Sequence, residues 1–132
     1  MATLYSSDVV VGNDANAADL NNLRKDLRLA IKDPQTDTDG ATITVDLSLG
    51  AVHKVTLGGN RTIAFSNPRE GQSFMLLVKQ DGTGNRTLVW PTVKWSDVTT
   101  PVLSTTAARV DIFAFFYDGT DYFGTIVGQN YG

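Results

Sequence analysis

Few side chains in this sequence could do chemistry, and their types limit what that chemistry would be. The chain has one histidine, His53, one glutamate, Glu70, and no cysteine. Without cysteine there is no disulfide, no thiolate metal site and no cysteine nucleophile, and one histidine cannot build a multi-histidine metal cluster. His53 falls in phase with Val55 and Leu57, which reads as a half-buried structural residue, with Asp46 or Asp111 as candidate orienting groups. No serine lies in a Gly-x-Ser-x-Gly elbow, so no nucleophile has its geometry declared. Asp37-Thr38-Asp39-Gly40 is similar to the start of an oxygen-ligand calcium loop. Such a loop ends in a bidentate glutamate near its twelfth position, whereas Glu70 lies thirty-three residues after Asp37, so the segment reads as a turn. No enzymatic activity, metal or other cofactor is expected.

Binding surfaces are narrowed in the same way. A formal net charge of −3 argues against a phosphate-binding face and hence against nucleic acid as a partner. The longest apolar run, Ile112 to Tyr117, is far short of the ~20 residues of a membrane helix. The first residues lack the cationic start and apolar stretch of a signal peptide. Among exposed aromatic candidates, Trp95 stands out because it sits in Pro91–Ala108, an eighteen-residue stretch without clear period. Long unpatterned loops are often functional, which makes Trp95 a candidate for a ligand loop, the other reading being that Trp90 and Trp95 simply cap the end of the sandwich.

The elements that would position these residues follow from periodicity. Leu20, Leu23, Leu27 and Ala30 or Ile31 recur at helical spacing, with Asn16 as N-cap and Asp33-Pro34 as the stop. A helix of this length depends on packing its apolar stripe, so something must cover Leu20, Leu23, Leu27 and Ile31. Residues 35–40 read as a linker. From residue 41 the period becomes two, with strands expected through Ile43–Leu47, Ala51–Leu57, Thr62–Ser66, Gln72–Gln80, Asn85–Trp90, Arg109–Tyr117 and Asp121–Val127. Asp81-Gly82-Thr83-Gly84 and Asp118-Gly119-Thr120 read as hairpin loops. Gly59-Asn60-Arg61-Thr62-Ile63 and Gly84-Asn85-Arg86-Thr87-Leu88 use the same residues twice, though two copies do not make a solenoid. With no helices between the strands, the expected fold is mainly β: an N-terminal arm and α-helix (1–34), a linker (35–40) and an antiparallel, jelly-roll-like β-sandwich of seven or eight strands (41–132).

Two strands are apolar on both faces. One carries Met75 and Leu77 opposite Phe74, Leu76 and Val78, and the other carries Phe113 and Phe115 opposite Ile112, Ala114 and Phe116. One sandwich core occupies only one face of each sheet, so the second face needs another cover. That cover is either the N-terminal helix or the long loop folding back, or a subunit interface; on the second reading Met75, Leu77, Phe113 and Phe115 are expected, with the helix stripe, to bury against copies of the chain or other proteins.

The stretch from Gly40 to Tyr122 resembles a small β-domain of bacteriophage tail and fibre proteins. The resemblance rests on Ala41-Thr42-Ile43-Thr44-Val45-Asp46-Leu47, Asn60-Arg61-Thr62, Asn67-Pro68 with Gly71-Gln72, Gln80-Asp81-Gly82-Thr83-Gly84, Trp90-Pro91 with Lys94-Trp95, and Phe116-Tyr117-Asp118-Gly119. Ala18-Asp19-Leu20-Asn21-Asn22-Leu23-Arg24-Lys25-Asp26 is similar to the N-terminal segment of such proteins. It implies a virion structural component, commonly homotrimeric, with the N-terminal part attaching to other virion proteins and the β-domain projecting. Three placements stay open: a tail fibre or tail-associated protein that could touch a host-surface glycan, a capsid decoration or cement protein, and a monomeric carbohydrate-binding module.

Overall fold

The computed structural model describes residues 16–23 and 33–132, and the chain divides into two units, Met1–Ile31 and Lys32–Gly132. In the first, a helix (α1) covers residues 17–23. Asn16 caps it as expected: its Oδ1 accepts from the Asp19 N–H at 2.9 Å while the Asp19 carboxylate accepts from the Asn16 N–H at 3.3 Å. Leu20 and Leu23 are solvent-exposed, whereas Leu27 and Ile31 lie outside the described residues.

Among its described residues the second unit has nine strands: β1 (Gln35–Thr36), β2 (Thr42–Asp46), β3 (Val52–Leu57), β4 (Arg61–Ser66), β5 (Ser73–Gln80), β6 (Leu88–Val89), β7 (Lys94–Trp95), β8 (Val110–Tyr117) and β9 (Tyr122–Tyr131). They form a six-stranded sheet, β1-β3-β5-β8-β9-β7, and a three-stranded sheet, β2-β4-β6. The mainly β expectation holds; wholly antiparallel pairing does not. All of the three-stranded sheet is parallel, as are β1–β3–β5 and β7–β9, leaving only β5–β8–β9 antiparallel. The physical reason lies in the crossover. Parallel neighbours need a long connection, usually a helix. In β1–β3–β5 and β2–β4–β6 each connection contains a strand of the other sheet, so the chain alternates between sheets from β1 to β6, while β7 and β9 are joined through β8 of their own sheet.

That alternation explains the duplicated Gly-Asn-Arg-Thr device. Its two copies lie on adjacent parallel strands, with Arg61 in register with Leu88 and Thr62 with Val89. Asn60 Oδ1 accepts from the Thr87 N–H at 3.0 Å, stitching one copy to the next. Each arginine is held by an aspartate: Arg61 by Asp39 at 2.8 Å, and Arg86 by Asp81 at 2.9 Å. The 81–84 segment is consequently not a hairpin but the crossing from β5 to β6. Asp81 Oδ1 accepts from the Thr83 and Gly84 N–H groups, turning the chain. Gly84 has φ +76, and a Cβ there would lie 2.5 Å from the Thr105 carbonyl oxygen. The second expected hairpin is present: Tyr117 pairs with Tyr122, and Asp118 Oδ1 accepts from the Thr120 and Asp121 N–H groups.

The inward residues of β2, β3, β4, β5 and β8 supply one core. Phe65 of β4 meets Phe74 and Phe115 edge-on at 5.1 and 5.2 Å, while those two rings stack at 5.0 Å. Phe113 and Phe115 are thus 0% and 3% exposed. This corrects their expected place at an interface. Both faces of β8 are apolar, so alternation alone cannot tell inside from outside. Register with β5 decides: Phe115 lies opposite Phe74 and Phe113 opposite Leu76, both core residues, whereas Met75 lies opposite Ala114 and Leu77 opposite Ile112.

Candidate functional site

The residues singled out for chemistry are engaged in holding the fold. His53 is fully buried on the inner face of β3, in phase with Val55 and Leu57. Its Nδ1 lies 2.9 Å from Asp37 Oδ1 and its Nε2 lies 3.1 Å from the Gly50 carbonyl oxygen. Neither Asp46 nor Asp111 orients the ring by hydrogen bonding; Asp37, which sequence reasoning placed in a turn, does. The backbone could have signalled this, because β1 pairs with β3 at Gln35–His53 and Thr36–Lys54, which brings the following residue alongside. Asp39, the other half of the calcium-like motif, is committed to Arg61 and to the Gly58 N–H, and the Arg61 guanidinium holds its carboxyl below the usual range. Among the described residues no group of three or more His, Cys, Asp or Glu could hold a metal ion.

Two further buried polar groups organise the long loop between β7 and β8. Asp111 accepts from the Ser104 N–H at 2.7 Å and from the Asn130 N–H at 2.9 Å. The Gln80 side-chain amide donates to the carbonyls of Arg86 and Ser104 and accepts from the Arg86 N–H. These are satisfied structural anchors, since a buried donor or acceptor without a partner costs about 1–3 kcal/mol.

What remains available is a surface. The outward side chains of the six-stranded sheet form cross-strand rows, because directly paired residues share a face. One row runs Val52–Met75–Ala114–Thr125, another Ser73–Phe116–Phe123–Lys94, and a third Lys54–Leu77–Ile112. The first two rows line a groove of about 780 Å³, with Trp95 and Ser96 also in its lining. Phe116 and Phe123 are 42% and 41% exposed. Beside it, a smaller hollow of about 370 Å³ is lined by Lys54, Thr56, Leu77, Lys79 and Val110. The outer face of the three-stranded sheet has the opposite character, with Thr42 beside Thr62, Thr44 beside Ala64 and Asp46 beside Ser66. One sheet presents water with hydroxyls; the other presents it with hydrocarbon.

Trp95 is less free than its loop position suggested. It sits in β7 and packs edge-on against Trp90 at 5.2 Å and Phe115 at 5.6 Å. Gly124 lies opposite it in β9, and a Cβ there would meet the Trp95 and Phe115 rings within 3 Å. The exposed part of the loop comes next. Val98 and Val102 are 97% and 80% exposed, and Asp97 and Val98 both have φ +55. Left-handed geometry in a β-branched residue is costly, of order 1–3 kcal/mol. Sequence reasoning missed these two valines; the signal was valine within an otherwise polar, unpatterned stretch.

Neither a curated protein nor a solved structure matches the chain. A family model described as "Putative phage tail fibre C-terminal domain" matches residues 43–122, from the start of the core in β2 to the start of β9. That span is more than half of the 132 residues and contains the outer apolar face through β8, with Phe123 and Thr125 of β9 beyond it. The chain accordingly belongs to the phage tail fibre C-terminal domain family.

Proposed function

We propose that this chain is a non-enzymatic structural subunit of a phage tail fibre, built into the virion as a homotrimer. Copies associate by burying the outer face of the six-stranded sheet, where Met75 and Leu77 lie with Ile112, Ala114, Phe116 and Phe123. Residues 1–34 attach the assembly to other virion proteins, and loops that the assembly leaves exposed contact a host-surface glycan.

The observation that carries this reading is the contrast between the two outer faces. A threonine-lined sheet is stable against water, whereas a continuous apolar groove on a soluble chain marks an association site. The tail placement rests on the family, which favours it over capsid decoration and over a monomeric carbohydrate-binding module. The structural role is supported by His53, Asp37, Asp39 and Asp111, whose polar atoms are taken up by internal hydrogen bonds.

The test is sedimentation of the purified full chain, together with the Phe123→Asp variant. A trimer that dissociates in the variant is expected, and a chain monomeric at micromolar concentration would refute the assembly. Removing residues 1–34 is expected to leave a folded β-domain and abolish its occupancy on particles, and full occupancy by the truncated form would refute the attachment.

A further inference from the structure

The loop that carries Val98 follows β7, an edge strand of the six-stranded sheet, whereas Leu77 lies on β5, in the interior of that sheet. The loop follows β7 and is tied to β9, with the Ser96 and Thr125 hydroxyls 3.0 Å apart and the Gln129 amide donating to the Val102 carbonyl at 2.6 Å. Farther along, Ser104 is locked to buried Asp111. Between these anchors Val98 and Val102 are held out in solvent, Val98 with a left-handed φ of +55. Apolar side chains fixed in this way form a plug. The smaller hollow, lined by Leu77 and Val110 and flanked by Lys54 and Lys79, lies toward the β3 side of the sheet.

Charge matches plug to hollow. Asp97, beside Val98, forms no ion pair among the described residues, and neither Lys54 nor Lys79 forms one. Within one chain Val98 and Val102 stay in solvent and do not fill the hollow; a second copy can supply them. We infer that the Asp97–Val98–Val102 plug of one copy docks into the Leu77 hollow of the next, with Asp97 against Lys54 and Lys79.

The contact is heterologous: different patches meet, and repetition closes a ring when the rotation per copy is a whole fraction of a turn. It deepens the proposed function, because it rests on homo-oligomeric assembly and assigns that assembly a direction around its axis. The ion pair sets orientation more than affinity, and the valines supply the burial.

Because the chain has no native cysteine, introduced pairs report cleanly. Val98→Cys and Thr56→Cys change exposed positions and are to be prepared separately, then mixed under conditions that allow subunit exchange. A disulfide-linked pair is expected in the mixture and in neither variant alone, while the double variant is expected to give a closed covalent ring. Sedimentation of Val98→Asp is expected to show association weakened at least about tenfold per contact. Asp97→Lys is expected to weaken association and Lys79→Glu, added to it, to restore it. A monomeric wild-type chain would overturn the assembly itself. A wild-type oligomer that gives no mixed crosslink, and keeps its affinity in Val98→Asp, would overturn the plug and leave the proposed assembly standing.

Discussion

Phe113 and Phe116 are three residues apart on β8 and point to opposite sides of it, so truncating each asks a different question. Phe113 is 0% exposed and packs edge-on against Trp90 at 4.8 Å. Phe113→Ala removes a fully buried ring and leaves a cavity that β5 and the tryptophans can only partly close. The expected cost is about 3–5 kcal/mol of folding stability. Phe116 is 42% exposed in the single chain. An aromatic side chain has about 200 Å² to bury, so about 80 Å² awaits a partner, worth about 2 kcal/mol at 25 cal/mol per Å². Phe116→Ala is therefore expected to weaken association about thirtyfold per contact. Its effect on the isolated fold should be the smaller of the two. Urea unfolding at low concentration reads the first quantity, and sedimentation across a concentration series reads the second. The reasoning fails if Phe113→Ala unfolds at the wild-type midpoint, or if Phe116→Ala leaves the association constant unchanged.

Other consequences follow from particular contacts. Gly84→Ala puts a Cβ on a left-handed residue 2.5 Å from the Thr105 carbonyl; a loss of about 2–4 kcal/mol is expected, seen as a lower urea midpoint with an unchanged slope. Asp37→Ala leaves buried His53 without a partner at Nδ1 and should cost about 1–3 kcal/mol. Because β1 has only two paired residues, faster hydrogen exchange is expected at the retained residue-37 amide, which donates to the Lys54 carbonyl. Acid should destabilise the fold. The Arg86 hydrogen bonds hold the Asp81 carboxyl at about 2, against 3.8 for the free group. Between those values the unfolded chain binds more protons, so stability is present above about pH 4 and is lost as pH falls toward 2. Asp39, Asp46 and Asp118 shift in the same direction, and Asp81→Asn is expected to flatten the acid limb of a stability–pH curve.

Periodicity by itself determined the strands whose faces differ in polarity. Ile43, Val45, Val55, Leu57 and Ile63 alternate with polar neighbours, and all are buried as their spacing requires. The Asn16 cap was legible too, since capping is a local event between residues three apart. So was the surplus of hydrocarbon on two strands. What local pattern could not decide was anything requiring a second strand. On β8 both faces are apolar, and only pairing with β5 turns Phe113 and Phe115 inward and leaves Ile112, Ala114 and Phe116 outside. Parallel pairing was hidden for the same reason: the crossovers are made by strands, whose local signature equals that of hairpin strands. The partner of His53 was hidden because sixteen residues of chain separate it from Asp37. Side-chain periodicity is written residue by residue, whereas register is a relation between distant segments, and in this protein register decides which hydrocarbon is core and which faces out.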